Sequence, residues 1–262
     1  LSSFDLLRVA GLAAEAGARY LRAVVRPGNP ASWTAKAERD FVTHVDRTSE
    51  EHIAAVLREA TPAARIVGEE LSPEIVTSGL VWIVDPLDGT TNFLHGVPTW
   101  AVSIAAAVDG VLQAGIVFDV PADERFEAAL GGGATLNGNS LHVSGITVPE
   151  HALIGTGFPF RDVSRIDHYL AHFKLVASAT SGIRRPGAAA IDLAWVAAGR
   201  FDGFWEQSLA PWDIAAGVLL VREAGGVVTD HAGSDSLLRH TSIVAGNPLM
   251  HQWLLHTIAP SG

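Results

Sequence analysis

Asp85 and Asp88 stand three residues apart in the segment Asp85-Pro86-Leu87-Asp88-Gly89-Thr90-Thr91-Asn92, directly after the apolar run Val81-Trp82-Ile83-Val84. The run reads as a short buried strand, so a strand end delivers two carboxylates bent around a proline. Pro86 fixes its own φ and pushes Asp85 toward an extended conformation, a turn that can aim both carboxylates and the Leu87 carbonyl into one pocket. Gly89-Thr90-Thr91 follows, where backbone N–H groups face an anion if a helix starts there. Hard oxygen ligands beside an anion cradle suit Mg²⁺ and a phosphate better than Zn²⁺ or thiol chemistry. Asp-Gly alone is an ordinary hairpin signal, but a hairpin needs neither the first Asp nor the two threonines.

Further segments accompany this one. Upstream lie Ile66-Val67-Gly68-Glu69-Glu70 and, farther back, Lys36, Asp40, Val42-Thr43 and Asp46. Downstream, Pro211-Trp212-Asp213 opens Ile214-Ala215-Ala216-Gly217, followed by Glu223-Ala224-Gly225-Gly226 and by Ala245-Gly246-Asn247-Pro248. In order and spacing these segments resemble the signatures of the inositol monophosphatase family, Mg²⁺-dependent and lithium-sensitive phosphatases. The likeness spans nearly the whole chain.

That resemblance implies roles residue by residue. Glu69, Asp85 and the Leu87 carbonyl would hold a first Mg²⁺. Asp85 would bridge to a second, completed by Asp88 and Asp213, and Glu69 would also touch a weaker third ion. Thr90, hydrogen-bonded to Asp46, would orient the attacking water, and the backbone amides of Gly89 and Thr90 would receive the phosphate. Ala189, within Gly187-Ala188-Ala189-Ala190, and Glu206 resemble positions that contact inositol hydroxyls. Electrostatics agree with a metal site, because each close carboxylate pair costs on the order of 4 kcal/mol at an effective dielectric of about 20. Without cations such a cluster protonates or splays apart. Taken singly, Glu69 would be a solvated strand end, Asp213 a helix cap and Asp46 a polar residue preceding a helix.

Composition narrows the alternatives. The chain has 262 residues and no cysteine, which removes disulfide scaffolds, thiolate metal sites and Cys-dependent phosphatases. A formal charge of −10 argues against a broad nucleic-acid-binding face. No apolar run reaches the roughly 18 residues of a membrane span. Residues 1–25 carry apolar side chains at helical spacing among Asp5, Arg8, Glu15, Arg19 and Arg22, and read as an amphipathic helix rather than a signal peptide. The expectation is a cytoplasmic enzyme acting on a small phosphorylated polyol or sugar, with no nucleic-acid or membrane partner. A homodimer is also expected, with Trp33, Trp100 and Trp195 as candidate apolar area.

Periodicity and turn signals predict helices over 1–25, 48–60, 164–178, 188–198, 213–224 and 248–257, with a breaker at 26–30. Strands are predicted at 65–68, 81–84, 203–206, 227–229 and 242–245, with another pair flanking Gly131-Gly132-Gly133. Residues 99–107 and 111–119 read as a hairpin turning at Asp109-Gly110. Meandering strands with inserted helices indicate an α+β or layered α/β architecture. The family resemblance implies an alternating αβαβα sandwich, here one catalytic domain with halves of about 1–145 and 146–262.

Other candidates are weaker. No Lys-Ser/Thr follows the Gly131-Gly132-Gly133 run, so it is no phosphate loop. His168 and His172 are expected on an exposed helix face, and His95 is read as structural because histidine is a poor Mg²⁺ ligand. No Gly-x-Ser-x-Gly elbow, Walker A loop or Asp-x-Asp nucleophile occurs. The favoured substrate is myo-inositol 1-phosphate. Fructose 1,6-bisphosphate, histidinol phosphate and nucleotide bisphosphate compete within the same fold, and Arg161, Arg165, Arg184 and Arg185 are available for a second phosphate. A binding or regulatory protein that retains the fold is the rival of another class.

Overall fold

The computed structural model describes residues 1–26, 44–159 and 163–259, together with the backbone of 34–37 and 40–42. Trp33, Thr43, Arg161 and most of the 26–30 breaker lie outside the described residues. Helix α1 (Ser3–Ala23) is followed by a small ribbon, β1 (Thr34–Ala37) and β2 (Asp40–Val42), and then by α2 (His44–Ala60). Ser2 and Asp5 close a capping box at the start of α1, each side chain serving the other's backbone N–H. Leu6, Val9, Ala10, Ala13, Ala14 and Gly17 then bury one stripe of that helix.

The first large sheet comprises β3 (Arg65–Gly68), β4 (Leu80–Asp88), β5 (Ala101–Val108), β6 (Val111–Asp119), β7 (Glu124–Ala129), β8 (Gly133–Leu136) and β9 (Asn139–Ser140), in that spatial order. β3 and β4 run parallel and the rest antiparallel. Asp109 and Gly110 both adopt positive φ between β5 and β6, the geometry that a tight hairpin of right-handed twist requires. Helix α3 (Thr90–His95) projects from the end of β4.

The second sheet has the order β11 (Gly182–Arg184), β10 (Leu153–Thr156), β12 (Gly203–Leu209), β14 (Thr241–Gly246) and β13 (Val227–Thr229). The helices between these strands are α4 (Ile166–Ala179), α5 (Ala189–Ala197) and α6 (Pro211–Glu223), and α7 (Pro248–Thr257) follows the last strand.

Three apolar cores order the layers. One lies between α1 and α2 and a face of the first sheet, including Trp82, Val84 and Ile104. The next takes the opposite face, with Val81 and Ile83, and packs it on α5, α6 and Phe204 of the second sheet. The last joins the far face of that sheet, Ile154 and Trp205, to α4 and α7. Alternation along β4 and β12 sends successive side chains into different cores. The result is the αβαβα sandwich. Helix α6 is buried along nearly its whole length because it has a sheet on either side. Among the described residues no helix is long and apolar enough to cross a membrane.

Several expectations need correction. Helix α2 begins at His44, not near residue 48, so Asp46 sits inside its first turn and is 1% exposed. His172 is buried, with its ring centroid 4.1 Å from that of His168, because Tyr169, His172 and Val176 form the inner stripe of α4. His168 is exposed as expected. Trp100 and Trp195 are not open apolar area: both are partly buried, edge-on to Phe93 and Phe201 respectively. The Gly131-Gly132-Gly133 turn, not expected to be a phosphate loop, binds an internal carboxylate instead. The Gly131 and Gly133 N–H groups donate to the Glu223 carboxylate at 2.9 and 2.8 Å.

Candidate active site

β4 carries the first two carboxylates out of the core. Its pairing with β5 is regular to Asp85 and resumes at Asp88, with a register shift between them. Pro86 has no N–H for the ladder, and the resulting irregularity re-aims the strand end. The Leu87 N–H donates to Asp85 Oδ1 at 2.9 Å, which fixes that carboxylate against its own turn. Gly89 then adopts φ +87°, and a Cβ there would stand 2.9 Å from the Thr99 carbonyl, so glycine alone fits. Helix α3 starts immediately afterwards.

The remaining carboxylates arrive from other elements. Asp88 Oδ2 accepts from the Ala190 N–H at 2.7 Å, locking the end of β4 to the first turn of α5. Asp213, in the first turn of α6, accepts from the Ala210 N–H through Oδ2 at 2.7 Å. Glu69 follows β3, and its N–H donates to the Val84 carbonyl at 3.2 Å. In Asp85, Asp88 and Asp213 alike, one carboxylate oxygen accepts from a backbone N–H, which restrains the rotamer, and all three residues line the cavity described next.

Glu69, Asp85, Leu87, Asp88 and Asp213 line one cavity of about 780 Å³. Gly89, Thr90, Ala189 and Glu206 also line it, so the proposed metal and substrate residues share one space. Burial first, then the charges of Glu69, Asp88 and Asp213, push the Asp85 carboxyl well above the usual carboxylate range. Asp88 is raised by burial and then by Asp213, Glu206 and Glu69. The carboxylates thus repel one another across the shared cavity. Among the described residues no three of these groups are drawn into a finished ligand cage. The donor set of hard oxygens in a desolvated cluster of carboxylates fits a hard divalent cation, with further oxygens from water and substrate.

Thr90 Oγ1 lies 2.9 Å from Asp46 Oδ1 and 3.0 Å from the Leu87 carbonyl. A hydroxyl has one proton, so donation to Asp46 leaves its lone pairs free to accept from a water in the cavity. His95 lies on the exposed end of α3 and outside the lining. Of the described arginines, Arg185 lines the cavity, whereas Arg184 lines a separate one of about 390 Å³ beside Trp195 and Arg200.

Contacts between distant segments complete the site. Glu206 lies directly over Gly157: a Cβ at that glycine would stand 1.7 Å from Glu206 Cδ. Asn92 Nδ2 donates to the Pro186 carbonyl at 2.9 Å and ties α3 to the segment that precedes α5. Asp192 is buried one turn into α5, and burial, followed by Glu206 and Asp88, raises its pKa well above the usual range. Phe158, Tyr169, Leu170 and Phe173 form an apolar wall of the cavity. Helix α2 supports the site from behind: Ser49 Oγ donates to the Pro86 carbonyl at 3.1 Å, and the Glu50 carboxylate accepts from the Glu70 N–H at 2.8 Å. These contacts join residues far apart in the chain, so only the i, i+3, i+4 spacing of Asp46, Ser49 and Glu50 on α2 could have hinted at them.

Comparison with known proteins supports the same grouping. Residues 5–261 match the inositol monophosphatase family. A Pseudomonas aeruginosa protein named Nus factor SuhB is 52% identical over 231 residues, covering 86% of this chain and 85% of that protein. A Mesorhizobium japonicum protein named inositol-1-monophosphatase is 45% identical over 224 residues, covering 85% of this chain and 84% of its own length. The solved structure of the extragenic suppressor protein suhB from Bartonella henselae superposes with a TM-score of 0.90 at 39% identity, over 98% of this chain and 100% of that one. The chain belongs to the inositol monophosphatase family.

Proposed function

We propose that this protein is a Mg²⁺-dependent phosphomonoesterase whose preferred substrate is myo-inositol 1-phosphate or a closely similar polyol monophosphate. The observation that carries the reading is the gathering of Glu69, Asp85, Asp88 and Asp213 with Glu206 around one cavity. Glu69, Asp85 and the Leu87 carbonyl would hold one Mg²⁺, Asp85, Asp88 and Asp213 a second, and Glu69 a weaker third. Bound Mg²⁺ supplies an activated water and neutralises charge on the attacking and leaving oxygens.

The chain's own groups do the positioning. Thr90, held by Asp46, accepts from the attacking water and sets its direction toward phosphorus. Backbone N–H groups of Gly89 and Thr90 receive phosphate oxygens where α3 begins. Glu206 accepts from vicinal hydroxyls of the polyol, which separates a sugar alcohol from a featureless alcohol. Ala189 is small enough to let the ring approach. No covalent intermediate is required.

Phosphate release from a substrate panel tests the reading. Inositol 1-phosphate should exceed fructose 1,6-bisphosphate, histidinol phosphate, a nucleotide bisphosphate and an aryl phosphate in kcat/KM. Preference for a bisphosphate, lost in Arg185→Ala, would move the assignment to the bisphosphatase branch. Li⁺ should inhibit more than Na⁺ at equal concentration, because the smaller ion suits the second Mg²⁺ position but has half its charge. The relative named a Nus factor favours a second reading, a binding role of the kind that name denotes, added to or replacing turnover. An Asp88→Asn variant that loses phosphate release but keeps such a role would separate the two.

A further inference from the structure

Helix α2 buries Asp46, Ser49 and Glu50, each 1% exposed or less, on one face against the catalytic loops. Asp46 reaches Thr90 and Ser49 reaches the Pro86 carbonyl. Glu50 reaches the segment that carries Glu69. A buried carboxylate is costly unless its oxygens are satisfied. Glu50 Oε2 accepts from the Glu70 N–H at 2.8 Å, and Oε1 accepts from the Leu71 N–H at 3.2 Å. On the other side of Glu69, the same carboxylate occupies the volume beside Gly68. A Cβ at Gly68 would stand 2.1 Å from Glu50 Oε1 and 2.6 Å from Cδ. The carboxylate thus meets the main chain both before and after Glu69, and the Gly68 N–H closes onto the Ser72 carbonyl at 3.0 Å.

We propose that Glu50 is the positioning residue for Glu69: its buried carboxylate sets the backbone of residues 68–71 so that the Glu69 side chain enters the metal cavity at a fixed height. This rests on the reading of Glu69 as a Mg²⁺ ligand. Glu50 does not line the cavity. Its effect reaches the metal only through the main chain, as outer-shell groups orient ligands elsewhere. Gly68 is part of the same device, because any side chain there would expel the carboxylate.

The test is Mg²⁺ competition against Tb³⁺ luminescence on the full chain, with metal-free melting followed in parallel. Glu69→Gln, Glu50→Gln and Gly68→Ala are compared with wild type. Glu50→Gln keeps one acceptor but turns an amide NH₂ toward the other backbone N–H. Mg²⁺ affinity should fall roughly ten- to a hundredfold in Glu50→Gln and in Gly68→Ala. Because Gly89, Ala189 and Glu206 lie on other elements, KM for substrate at saturating Mg²⁺ should stay near wild type. If Glu50→Gln does not fold, Gly68→Ala displaces the same carboxylate and decides the question. A lowered melting temperature with wild-type Mg²⁺ affinity in both variants, while Glu69→Gln binds weakly, would make Glu50 purely structural and overturn the proposal. Unchanged affinity in Glu69→Gln would instead remove Glu69 from the metal set, and the proposal would fall with that assignment.

Discussion

Asp85, Asp88 and Asp213 share one device: a backbone N–H holds one oxygen of each carboxylate at the wall of the cavity. Because burial and mutual repulsion raise Asp85 and Asp88, these groups keep protons to higher pH than ordinary carboxylates, and Mg²⁺ competes with those protons. Mg²⁺ affinity should therefore rise with pH, and a titration showing pH-independent affinity would contradict the elevation. In the proposed reading, Glu206 sets discrimination rather than the basal rate. Glu206→Gln should lower kcat/KM for inositol monophosphate relative to an aryl phosphate by roughly ten- to a hundredfold, the worth of a hydrogen bond to a charged group. Gly157→Ala should reproduce that loss, because its Cβ takes the space of the Glu206 carboxyl. Equal effects on both substrates would place Glu206 in support of the fold or the metals instead. Asp85 and Asp88 were legible in the residues themselves, because their segment is dense in oxygen donors and turn formers. Glu69, Asp213 and Glu206 were legible only through the resemblance of their segments to the family's. Glu50 and Gly157 were not, since each acts through a contact with a residue distant in the chain.

At the scale of elements, α6 is both a core helix and the carrier of Asp213. Leu220 lies two turns beyond Asp213 and is fully buried between the sheets. Leu220→Ala should cost about 2–5 kcal/mol in urea unfolding while the folded enzyme keeps its turnover per site. A large fall in turnover without loss of stability would mean that α6 transmits core packing to the metal cavity. Most elements were legible from period and punctuation: the hairpin at Asp109-Gly110 and helices α5, α6 and α7 lie within a few residues of expectation. Strands β10 and β11 were missed because they are short, and Leu153–Thr156 carries no alternating pattern over its length. The early start of α2 was missed because His44, Val45 and Asp46 are ordinary in propensity, and tertiary contacts to Thr90 and the first sheet extend the helix.

For the whole molecule, two groups outside the cavity, buried Asp119 and half-buried His231, oppose each other in acid. Burial pushes the Asp119 carboxyl up to about 6 from 3.8. Burial, then His172, pushes His231 down to about 4 from 6.5. Folded Asp119 keeps a proton that the unfolded chain releases, so its contribution falls as pH rises through that window. Folded His231 stays neutral where the unfolded chain binds a proton, so its contribution is lost as pH falls from 6.5 toward 4. Asp119→Asn should therefore steepen the loss of Tm in acid, and His231→Asn should flatten it. If both variants keep the wild-type profile, other groups govern acid stability. A homodimer remains the expectation, and sedimentation giving a 27.6 kDa particle at working concentration would refute it. Exposed apolar area lies on α4, at Leu170, Phe173 and Leu175, and not at Trp100 or Trp195.

The layered fold brings β4, α3, α5 and α6 to one cavity, and the central claim is that this cavity hydrolyses a polyol phosphate with bound Mg²⁺. The most direct measurement is phosphate release from inositol 1-phosphate by the purified protein, first with chelator and then with excess Mg²⁺, beside Asp213→Asn. Wild type should be silent in chelator and active with Mg²⁺, while Asp213→Asn, folded to the same melting profile, stays silent in both. Turnover by wild type in chelator, or by Asp213→Asn at the wild-type rate, would contradict the account.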